Sequence, residues 1–555
     1  MTQLKNKILK IHPKDNIIVA LIDLKAGEII SHEGKKISLI TDVNKKHKFA
    51  NKNLDKGQDI YLYGVIVGKA TKSIKKGEAI NTQNISHHTQ EYYLPKSIKR
   101  IYKPNLSNNH YSSKTFDGYH REDGKVGTEN NWLVIPLVFC QNRNIDELKK
   151  ALLGGLGYET KRKRAFDLER LISHFKSGAT KSELLDQNVL SSEKNNSKKP
   201  LFSNVDGIYF ITHEGGCGGS KYDSASLCNL IAGYINNSNV AGATILSLGC
   251  QHAQISLLKK SLKRIAPDLK KTIFLMEQQK SNSEEEFLAE CIKKTFIGLI
   301  EANKIERRPA SISKLTLGLE CGGSDGFSGI SANPVLGFVS DLVVEHGGSA
   351  ILSEFPELNG VEQELINRCT NLEKAKKFKT LMQNYNRKAT ALGAGFDSNP
   401  SPGNIKDGLI TDAIKSAGAA KKGGTSPVVD VLDYTEQITI PGLNLLCTPG
   451  NDVESTTALA GSGANIILFT TGLGTPTGNP AVPVLKVSSN TSLYNNMADI
   501  IDFNTGTIID GTNNIKDCGE KLLNYVLEVA SGRVKVCARK LGQNDFIPWK
   551  RGMSL

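Results

Sequence analysis

The stretch Leu319–Pro334, LECGGSDGFSGISANP, decides how the rest of the chain is interpreted. It is too rich in glycine to form a stable helix and too polar to form a buried strand. The segment before it, KLTLGLE (314–320), alternates like a strand, and VLGFVSDLVVEHG (335–347) after it has helical spacing. The sequence therefore predicts a strand, a glycine-rich loop and a helix. Such a loop either turns a corner or binds a ligand.

The regions on both sides of this loop repeat the alternation of strand and helix. Apolar runs such as WLVIPLVFC, GIYFIT and ATILSLG in residues 118–303, and SAILSE, LNLLCTPG and NIILFTTG in residues 310–555, alternate with helical segments. This pattern predicts two α/β units with mostly parallel sheets. Residues 1–88 carry short alternating runs between glycine-bearing turns, which predicts a small all-β domain. Residues 89–117 lack sustained periodicity and are predicted to be a linker.

Length and charge restrict the class of protein. A chain of 555 residues exceeds one ordinary core, so several domains are expected. The net charge of +14 comes from scattered lysines without interleaved aromatic residues, so we do not predict nucleic-acid binding. A positive field would still help to collect a small anionic substrate. No apolar run approaches the roughly 20 residues needed to cross a membrane, and the N-terminus lacks the features of a secretory signal. We predict a cytoplasmic protein without membrane association.

Cysteine usage indicates thiols rather than disulfides, because the ten cysteines accompany no secretion signal. No CxxC pair is present, which argues against a zinc ribbon or a thioredoxin-like site. Cys217, Cys250 and Cys321 lie in glycine-rich turns where strands should end. His213 with Cys217, and Cys250 with His252, offer nitrogen and sulfur ligands for Fe²⁺ or Zn²⁺. Each pair is also compatible with a purely structural role.

Segments spread over nearly the whole chain resemble the altronate/galactarate dehydratase family. They are GYHREDGKVGTEN (118–130), LGC (248–250), LECGGSDGFSGISANPVLG (319–337), AILSEFPELNGVEQ (350–363), NPSPGN (399–404), PGNDVESTTALAGSGANIILFTTG (449–472) and DFNTG (502–506). The N-terminal IHPKDNIIVAL, HKFA and YGVIVG resemble the small β-clip, or SAF-like, domain of that family. The resemblance implies a β-clip domain over 1–88 and dehydratase α/β domains over 118–303 and 310–555.

The resemblance implies hydro-lyase chemistry on a small anionic sugar acid. Altronate or a close hexonate would lose water between C2 and C3 to give a 2-keto-3-deoxy acid. A divalent metal, usually Fe²⁺ with Mn²⁺ as the alternative, would stabilise the enediolate. A base must take the C2 proton, and an acid must protonate the departing hydroxyl. We also expect a homo-oligomer.

Candidate site residues follow from the matching motifs. The catalytic candidates are His47 and Lys48, which match a His-Lys pair of the family, together with Asp325 and Glu354. The substrate-binding candidates are Gly322, Gly323, Ser324, Asn404, Thr470, Thr471 and Gly472. The metal-binding candidates are His213, Cys217, Cys250 and Cys321. Asp325 is also suited to cap the following helix, and Glu354 to a place at a helix N-terminus.

The sequence departs from the family pattern at charged positions. Motifs that commonly read GTRN, GLGCE, PSPGNK and TTGRG carry Glu129, Gln251, Ile405 and Leu473 here, and Asn81 and Gln83 replace two common histidines. Leu473 bears most on the substrate, because a guanidinium binds a carboxylate with two hydrogen bonds and leucine cannot. Three alternatives therefore stay open: an altronate dehydratase, a lyase acting on galactarate or a sulfonated hydroxy acid, and a sugar-acid-binding paralogue without activity.

Overall fold

The structure, a computed structural model, describes residues 6–98, 111–159, 165–191 and 199–553. Part of the predicted linker, residues 99–110, lies outside the described residues. The predicted fold class is confirmed, since an N-terminal all-β domain precedes α/β regions with parallel sheets. Among the described helices, none is both long enough and apolar enough to cross a membrane.

The N-terminal domain consists of short strands separated by tight turns. They form a four-stranded sheet β1-β2-β5-β8, a three-stranded sheet β6-β7-β9 and a hairpin β3-β4. The strands are β1 (Ile8–Leu9), β2 (Ile17–Ala20), β3 (Ile29–His32), β4 (Lys35–Ser38), β5 (Lys48–Ala50), β6 (Asp59–Leu62), β7 (Val65–Ala70), β8 (Ala79–Ile80) and β9 (Ile85–Ser86). Strand β5 is fully buried, so it carries the Lys48 ammonium group into the interior.

The second region contains a four-stranded parallel sheet in the order β15-β12-β16-β17. The strands of this region, four of which form the sheet, are β10 (Thr115–His120), β11 (Val126–Gly127), β12 (Asn131–Pro136), β13 (Ala165–Phe166), β14 (Leu190–Ser191), β15 (Gly207–Phe210), β16 (Val240–Ser247) and β17 (Thr272–Glu277). The helices are α1 (Asn142–Leu156), α2 (Leu168–Lys176), α3 (Lys181–Leu185), α4 (Lys221–Asn236), α5 (Ile255–Ile265) and α6 (Glu284–Ala302). The first strand of the sheet, β12, lies between the second and the third.

The C-terminal region contains a seven-stranded parallel sheet, β21-β22-β20-β19-β23-β24-β25. The strands are β18 (Arg307–Ser311), β19 (Thr316–Cys321), β20 (Ser349–Leu352), β21 (Val428–Leu432), β22 (Leu443–Leu446), β23 (Ile466–Thr471), β24 (Val484–Ser488) and β25 (Phe503–Asn504). The helices are α7 (Ala332–Glu345), α8 (Glu362–Arg368), α9 (Leu372–Ala391), α10 (Pro402–Lys406), α11 (Asp412–Ala419), α12 (Asp452–Gly461), α13 (Thr491–Asn496), α14 (Ile515–Ala530) and α15 (Cys537–Leu541). Strand β18 pairs with β10 and so joins the two α/β regions.

The strand, loop and helix predicted around residues 314–347 are confirmed. Strand β19 ends at Cys321 and helix α7 begins at Ala332, which leaves residues 322–331 as the loop. Strand β19 lies in the middle of the seven-stranded sheet, between β20 and β23. Because all strands of this sheet are parallel, the loops after β20, β22 and β23 meet the same edge. The loop is therefore surrounded by other segments on both sides.

Candidate active site

The loop 322–331 packs closely against two other parts of the protein. A Cβ atom on Gly322 would lie 2.0 Å from Oδ2 of Asp452, which belongs to helix α12. A Cβ atom on Gly326 would lie 2.6 Å from the carbonyl oxygen of Lys46 in the N-terminal domain. Only glycine permits both approaches. The loop is thus the place where the N-terminal domain meets the C-terminal sheet.

The first group of side chains at this edge, the acid–thiol cluster, consists of Cys321, Glu354, Glu357 and Lys422. Ligand atoms of the cysteine and the two glutamates lie within 4.8 Å of one another, and all three residues are buried. The Cys321 thiol donates to Oε2 of Glu357 (3.0 Å) and accepts from Nζ of Lys422 (2.8 Å). Lys422 also donates to Oε2 of Glu354, to which the Cys321 backbone N–H donates at 3.2 Å. Burial raises the pKa of Cys321 well above its usual range, so the thiol is protonated.

Glu354 is held in a strained backbone conformation. Its φ of 62° lies in the left-handed region, which costs a residue other than glycine on the order of 1–3 kcal/mol. The Glu354 N–H donates to Oγ1 of Thr448 at 2.8 Å, which helps to fix this conformation. The strain places the carboxylate beside the end of β19. Strain of this kind is typical of positions where a side chain must be aimed at a site.

The acid–thiol cluster has the donor set of a divalent metal ion. One sulfur and two carboxylates suit a first-row metal. The Oε1 atoms of Glu354 and of the adjacent Glu320 are buried, and neither receives a hydrogen bond from the described residues. Burial and the charge of Glu354 hold the pKa of Glu320 well above its usual range. When no cation is bound, a proton on the Glu320 carboxyl group would therefore satisfy these oxygens. The residues fit a metal, which would displace the Cys321 proton and the Lys422 contact.

Asp452 extends this acidic region toward the loop. It is the first residue of helix α12, and the preceding Asn451 caps the helix by accepting from two backbone N–H groups. Burial, and then the charges of Glu354 and Glu357, raise the pKa of Asp452 to about 7. The carboxyl group is therefore about half protonated near neutral pH. Such a group can donate a proton to a leaving hydroxyl.

The second group, the lysine–aspartate group, joins the N-terminal domain to the loop through Lys46, Lys48, Asp325 and Asp407. Nζ of Lys46 lies 3.0 Å from Oδ2 of Asp325 and 2.6 Å from Oδ1 of Asp407. Asp325 also accepts from the N–H of Ser328 (2.9 Å) and the hydroxyl of Ser489 (2.7 Å), among other donors. These contacts occupy the Asp325 carboxylate. They fix the shape of the loop against the N-terminal domain.

Lys48 combines deep burial with an amine that is about half neutral near pH 7. Its Nζ donates to the carbonyl oxygens of Gly408 (2.6 Å) and Lys46 (3.0 Å). Burial lowers the pKa of Lys48 to about 7, although the charge of Asp325 opposes this effect. The two carbonyls use both N–H bonds of a neutral amine and leave its lone pair. A lysine with a pKa near 7 is one of the groups that can act as a general base.

His47, the other catalytic candidate of the N-terminal domain, directly precedes strand β5 and is half-buried. Its Nε2 donates to the carbonyl oxygen of Lys406 at 2.9 Å, which leaves Nδ1 as an acceptor in the neutral ring. Burial lowers the pKa of His47, so the neutral ring dominates at pH 7. The contact ties the N-terminal domain to helix α10.

The predicted substrate-binding residues surround the loop, and most of their polar groups already bind protein atoms. Nδ2 of Asn404 donates to the carbonyl oxygen of Ser324 at 2.7 Å, and Oγ1 of Thr470 donates to Oδ1 of Asn333 at 2.8 Å. Oγ1 of Thr471 accepts from the N–H of Gly474 at 2.9 Å. The N–H groups of Gly472 and Leu473 both donate to the carbonyl oxygen of Gly323 at 2.9 Å. These residues shape the loop.

The predicted metal ligands do not form one group. Cys321 belongs to the acid–thiol cluster, whereas His213, Cys217 and Cys250 lie in loops of the second region. Nε2 of His213 is 2.7 Å from the carbonyl oxygen of Pro136, and Nδ1 accepts from the N–H of Gly215 at 3.0 Å. Both ring nitrogens of His213 are thereby engaged. We therefore leave His213 out of any metal site.

Two departures from the family pattern have structural partners. Glu129 forms a two-point ion pair with Arg539, with distances of 3.0 Å from Oε1 to Nε and 2.7 Å from Oε2 to Nη2. Gln251 is buried, donates to Oγ of Ser247 at 2.6 Å and accepts from the N–H of Gly249 at 2.8 Å. Both residues hold loops in place. Leu473 differs, because its side chain is exposed beside the loop 322–331.

Glu129→Gln is expected to destabilise the protein by about 3–5 kcal/mol, because it leaves the buried Arg539 guanidinium without its counter-charge. The midpoint of urea unfolding measures this loss. The double variant Glu129→Gln/Arg539→Met is the control, since it removes the stranded charge and should recover much of the stability. A loss below about 1 kcal/mol in the single variant would mean that the pair behaves as an ordinary surface ion pair.

Sequence reasoning did not identify several residues of the site. Glu357 lies three residues after Glu354, and Asp452 lies inside a matched motif, so spacing and motif position could have indicated both. Lys422 lies in AAKKGG, which looks like an exposed turn in the sequence. Lys46 directly precedes the predicted His-Lys pair. The two lysines gain their partners only through tertiary folding.

Comparison with known proteins gives the same assignment for every part of the chain. Family models match residues 6–88 (altronate/galactarate dehydratase SAF domain), 118–303 (D-galactarate dehydratase/altronate hydrolase, second domain) and 312–554 (D-galactarate/altronate dehydratase, C-terminal). Altronate dehydratases of Bacillus subtilis (strain 168) and Escherichia coli (strain K12) are 32% and 31% identical, each over 99% of both chains. Galactarate dehydratase (L-threo-forming) of E. coli is 29% identical over 97% of this chain and 95% of its own. The chain therefore belongs to the altronate/galactarate dehydratase family of hydro-lyases.

Proposed function

We propose that the protein is a metal-dependent sugar-acid dehydratase that converts altronate, or a close hexonate, into a 2-keto-3-deoxy acid. One observation supports this most: the loop 322–331 separates a buried acid–thiol cluster from a lysine with a pKa of about 7. The candidate acid and metal ligands thus lie at one edge of the seven-stranded sheet, and the candidate base reaches residues next to that edge from the N-terminal domain. A dehydratase needs all three.

The residues of the site divide the chemistry between them. Lys48, as a neutral amine, takes the proton from C2 of the sugar acid. Cys321, Glu354 and Glu357 would hold a divalent ion such as Fe²⁺, which would supply Lewis-acid stabilisation of charge on the substrate carboxylate. Asp452 in its protonated form donates to the C3 hydroxyl, which leaves as water. The enol that remains then becomes the 2-keto-3-deoxy acid.

The proposed base and the proposed acid have nearly the same pKa, although their ionised forms carry opposite charges. Burial lowers the pKa of the Lys48 ammonium and raises that of the Asp452 carboxyl, each to about 7. A base and an acid poised near the working pH transfer protons most effectively. Asp325 keeps the loop between them in place through Lys46 and Ser489. We therefore assign Asp325 a positioning role.

Removal of the divalent metal is expected to abolish release of the 2-keto-3-deoxy acid. The full-length protein is purified anaerobically with Fe²⁺, and altronate, galactarate, other hexonates and a sulfonated hydroxy acid are each offered as substrate. Turnover of altronate should disappear after chelation and return when Fe²⁺ or Mn²⁺ is added back. Full turnover at a measured metal content near zero would refute metal dependence. Turnover of another acid but not of altronate would refute the substrate.

Leu473→Arg is expected to change substrate selectivity without changing the fold. Leu473 is 38% exposed, and its backbone N–H donates to the carbonyl oxygen of Gly323. A guanidinium–carboxylate contact there is worth on the order of 1.5–3 kcal/mol, or roughly a tenfold to hundredfold gain in kcat/KM. The gain should appear only for acids whose carboxylate reaches the loop. Leu473→Met is the matched control, and equal effects on altronate and galactarate would show that the position does not contact substrate.

A further inference from the structure

A small unit of the second region, the α2–α3 unit (residues 165–191), has no buried side chains. It consists of the two-stranded sheet β13-β14, with helices α2 and α3 between the strands along the chain. No residue in the range 166–190 is buried. Between the described residues, its side-chain hydrogen bonds stay inside the unit, as in the capping box of Thr180 and Glu183 that begins α3. The unit therefore has no core of its own within a single chain.

The elements of this unit are too short to be stable in water on their own. Helix α2 has nine residues, α3 has five, and strands β13 and β14 have two each. Isolated helices below about 12 residues are marginal in water, and a lone two-stranded sheet is marginal as well. A partner that covers apolar side chains of the unit would supply the missing stabilisation.

The apolar side chains needed for such a contact are present and exposed. On α2 they recur with the spacing of a single helical stripe, at Leu168, Leu171, Ile172 and Phe175. Five large apolar side chains of the unit are more than half exposed: Phe166, Leu168, Phe175, Leu185 and Leu190. Exposed apolar patches of this kind mark surfaces where another macromolecule binds.

A groove between the two helices lies on the same face. It has a volume of about 580 Å³ and is lined by Leu171, Ile172, Phe175, Lys181, Leu184 and Leu185. Apart from Lys181 the lining is apolar, so the groove lacks the converging polar groups that would bind a sugar acid. It fits apolar side chains of a protein partner.

The charges of the unit favour a second copy of this chain as that partner. Within residues 165–191 the acidic and basic side chains nearly balance, whereas the whole chain has a net charge of +14. The acidic ones are Asp167, Glu169, Glu183 and Asp186, and the basic ones are Arg170, Lys176 and Lys181. Two copies can therefore meet through this unit with little of the repulsion that the net charge of the chain imposes elsewhere.

Helix α2 is also complementary to itself in the antiparallel orientation. Glu169 in its first turn and Lys176 in its last turn are seven residues apart, so they lie on one flank of the helix, beside the apolar stripe. A twofold axis across the middle of α2 would place Glu169 of each copy beside Lys176 of the other. The two helix dipoles would then also be opposed, which is favourable.

We propose that the α2–α3 unit is the surface through which two copies of this chain form a dimer. The apolar faces of both units pack together around a twofold axis, with α2 antiparallel to α2 of the other copy. Such a contact uses the same residues on both sides, as twofold interfaces do. It covers the exposed apolar side chains and provides the core that the unit lacks in one chain.

The test compares two equally exposed leucines in the full-length protein. The dimer Kd is measured by sedimentation velocity over a concentration series. Leu185→Asp should raise the Kd on the order of 100-fold, because it places a charge in a desolvated apolar contact. Leu392→Asp is the matched control, since Leu392 is also 87% exposed but lies at the end of α9, and this variant should keep the parent Kd. Circular dichroism checks that both variants fold.

Charge reversal tests the antiparallel arrangement itself. Glu169→Lys and Lys176→Glu should each raise the Kd about tenfold, because each sets like charges against one another twice across the axis. The double variant Glu169→Lys/Lys176→Glu restores both contacts between opposite charges. Its Kd should return to within about threefold of the parent value.

Four results would overturn the proposal. They are a parent protein that stays monomeric over the whole series, a Leu185→Asp dimer as stable as the parent dimer, a double reversal no better than the single ones, and membrane binding by this face. The last is tested because the basic run KRKR (161–164) precedes the unit. A monomer that sediments with phosphatidylserine vesicles, and no longer does so after Leu185→Asp, would assign the face to a lipid surface. None of these readouts uses turnover, so failure of the dimer proposal is separate from failure of the dehydratase proposal.

Discussion

Lys48→Met is expected to lower kcat on altronate by about 10²–10⁴-fold, the usual contribution of a general base. Methionine matches the buried length of the lysine and has no amine, so β5 should keep its packing. The parent needs the neutral amine, so its activity should rise with pH through about 7, the pKa of Lys48. That rising limb should be absent from the pH profile of the variant.

The control for Lys48 separates charge from proton transfer. Lys48→Arg keeps a cation in the strand but cannot supply a neutral base near pH 7. Its kcat should therefore fall about as far as that of Lys48→Met. A variant of either kind that keeps the rising limb would show that another residue takes the proton. His47→Gln, at the adjacent position, would then be the next variant to measure.

Asp452→Asn is expected to lower kcat by about 10²–10⁴-fold with a small change in KM, because it removes the proton donor to the leaving hydroxyl. The amide has nearly the same shape as the acid, and the helix cap Asn451 remains. The parent needs the protonated acid, so its activity should fall as pH rises through about 7, the pKa of Asp452. The variant should lose this falling limb and keep the rising limb of Lys48.

Together the two variants test the division of labour between base and acid. The parent profile should be a narrow bell centred near pH 7, and each variant should keep the opposite limb. Glu454→Gln, on the same helix turn as Asp452, is the matched control and should leave both limbs unchanged. Loss of the same limb in Lys48→Met and Asp452→Asn would contradict the assignment.

Local pattern was sufficient to predict much of the fold. The alternation in KLTLGLE predicted β19, and the helical spacing after Val335 predicted α7. Both predictions were possible because each element buries apolar side chains that recur with its own period. The same reasoning placed Cys321 at a strand end and predicted a functional loop after it. Parallel sheets were predictable because strands and helices alternate along the chain.

Partnerships between distant residues could not be predicted from the sequence. Lys422 meets Glu354 across 68 positions, and Lys46 meets Asp325 across 279. In the sequence both lysines look like surface residues, because neighbouring residues do not reveal a buried counter-charge. The sequence likewise gave no indication that both ring nitrogens of His213 would be used within its own domain. Glu129 could be noted as unusual, but its partner Arg539 emerged only from the fold.

The proposed base and the loop that it faces belong to different folding units. Lys48 comes from strand β5 of the N-terminal domain, while its acceptor Gly408 and the neighbouring Asp325 come from the C-terminal region. The chain joins the N-terminal domain to the C-terminal region by way of the second region, and this covalent tether keeps the two together at any protein concentration. Cutting the tether would turn a first-order docking step into a bimolecular one. In the proposed mechanism, catalysis therefore needs groups from two domains, and the continuous chain keeps those domains together when the protein is dilute.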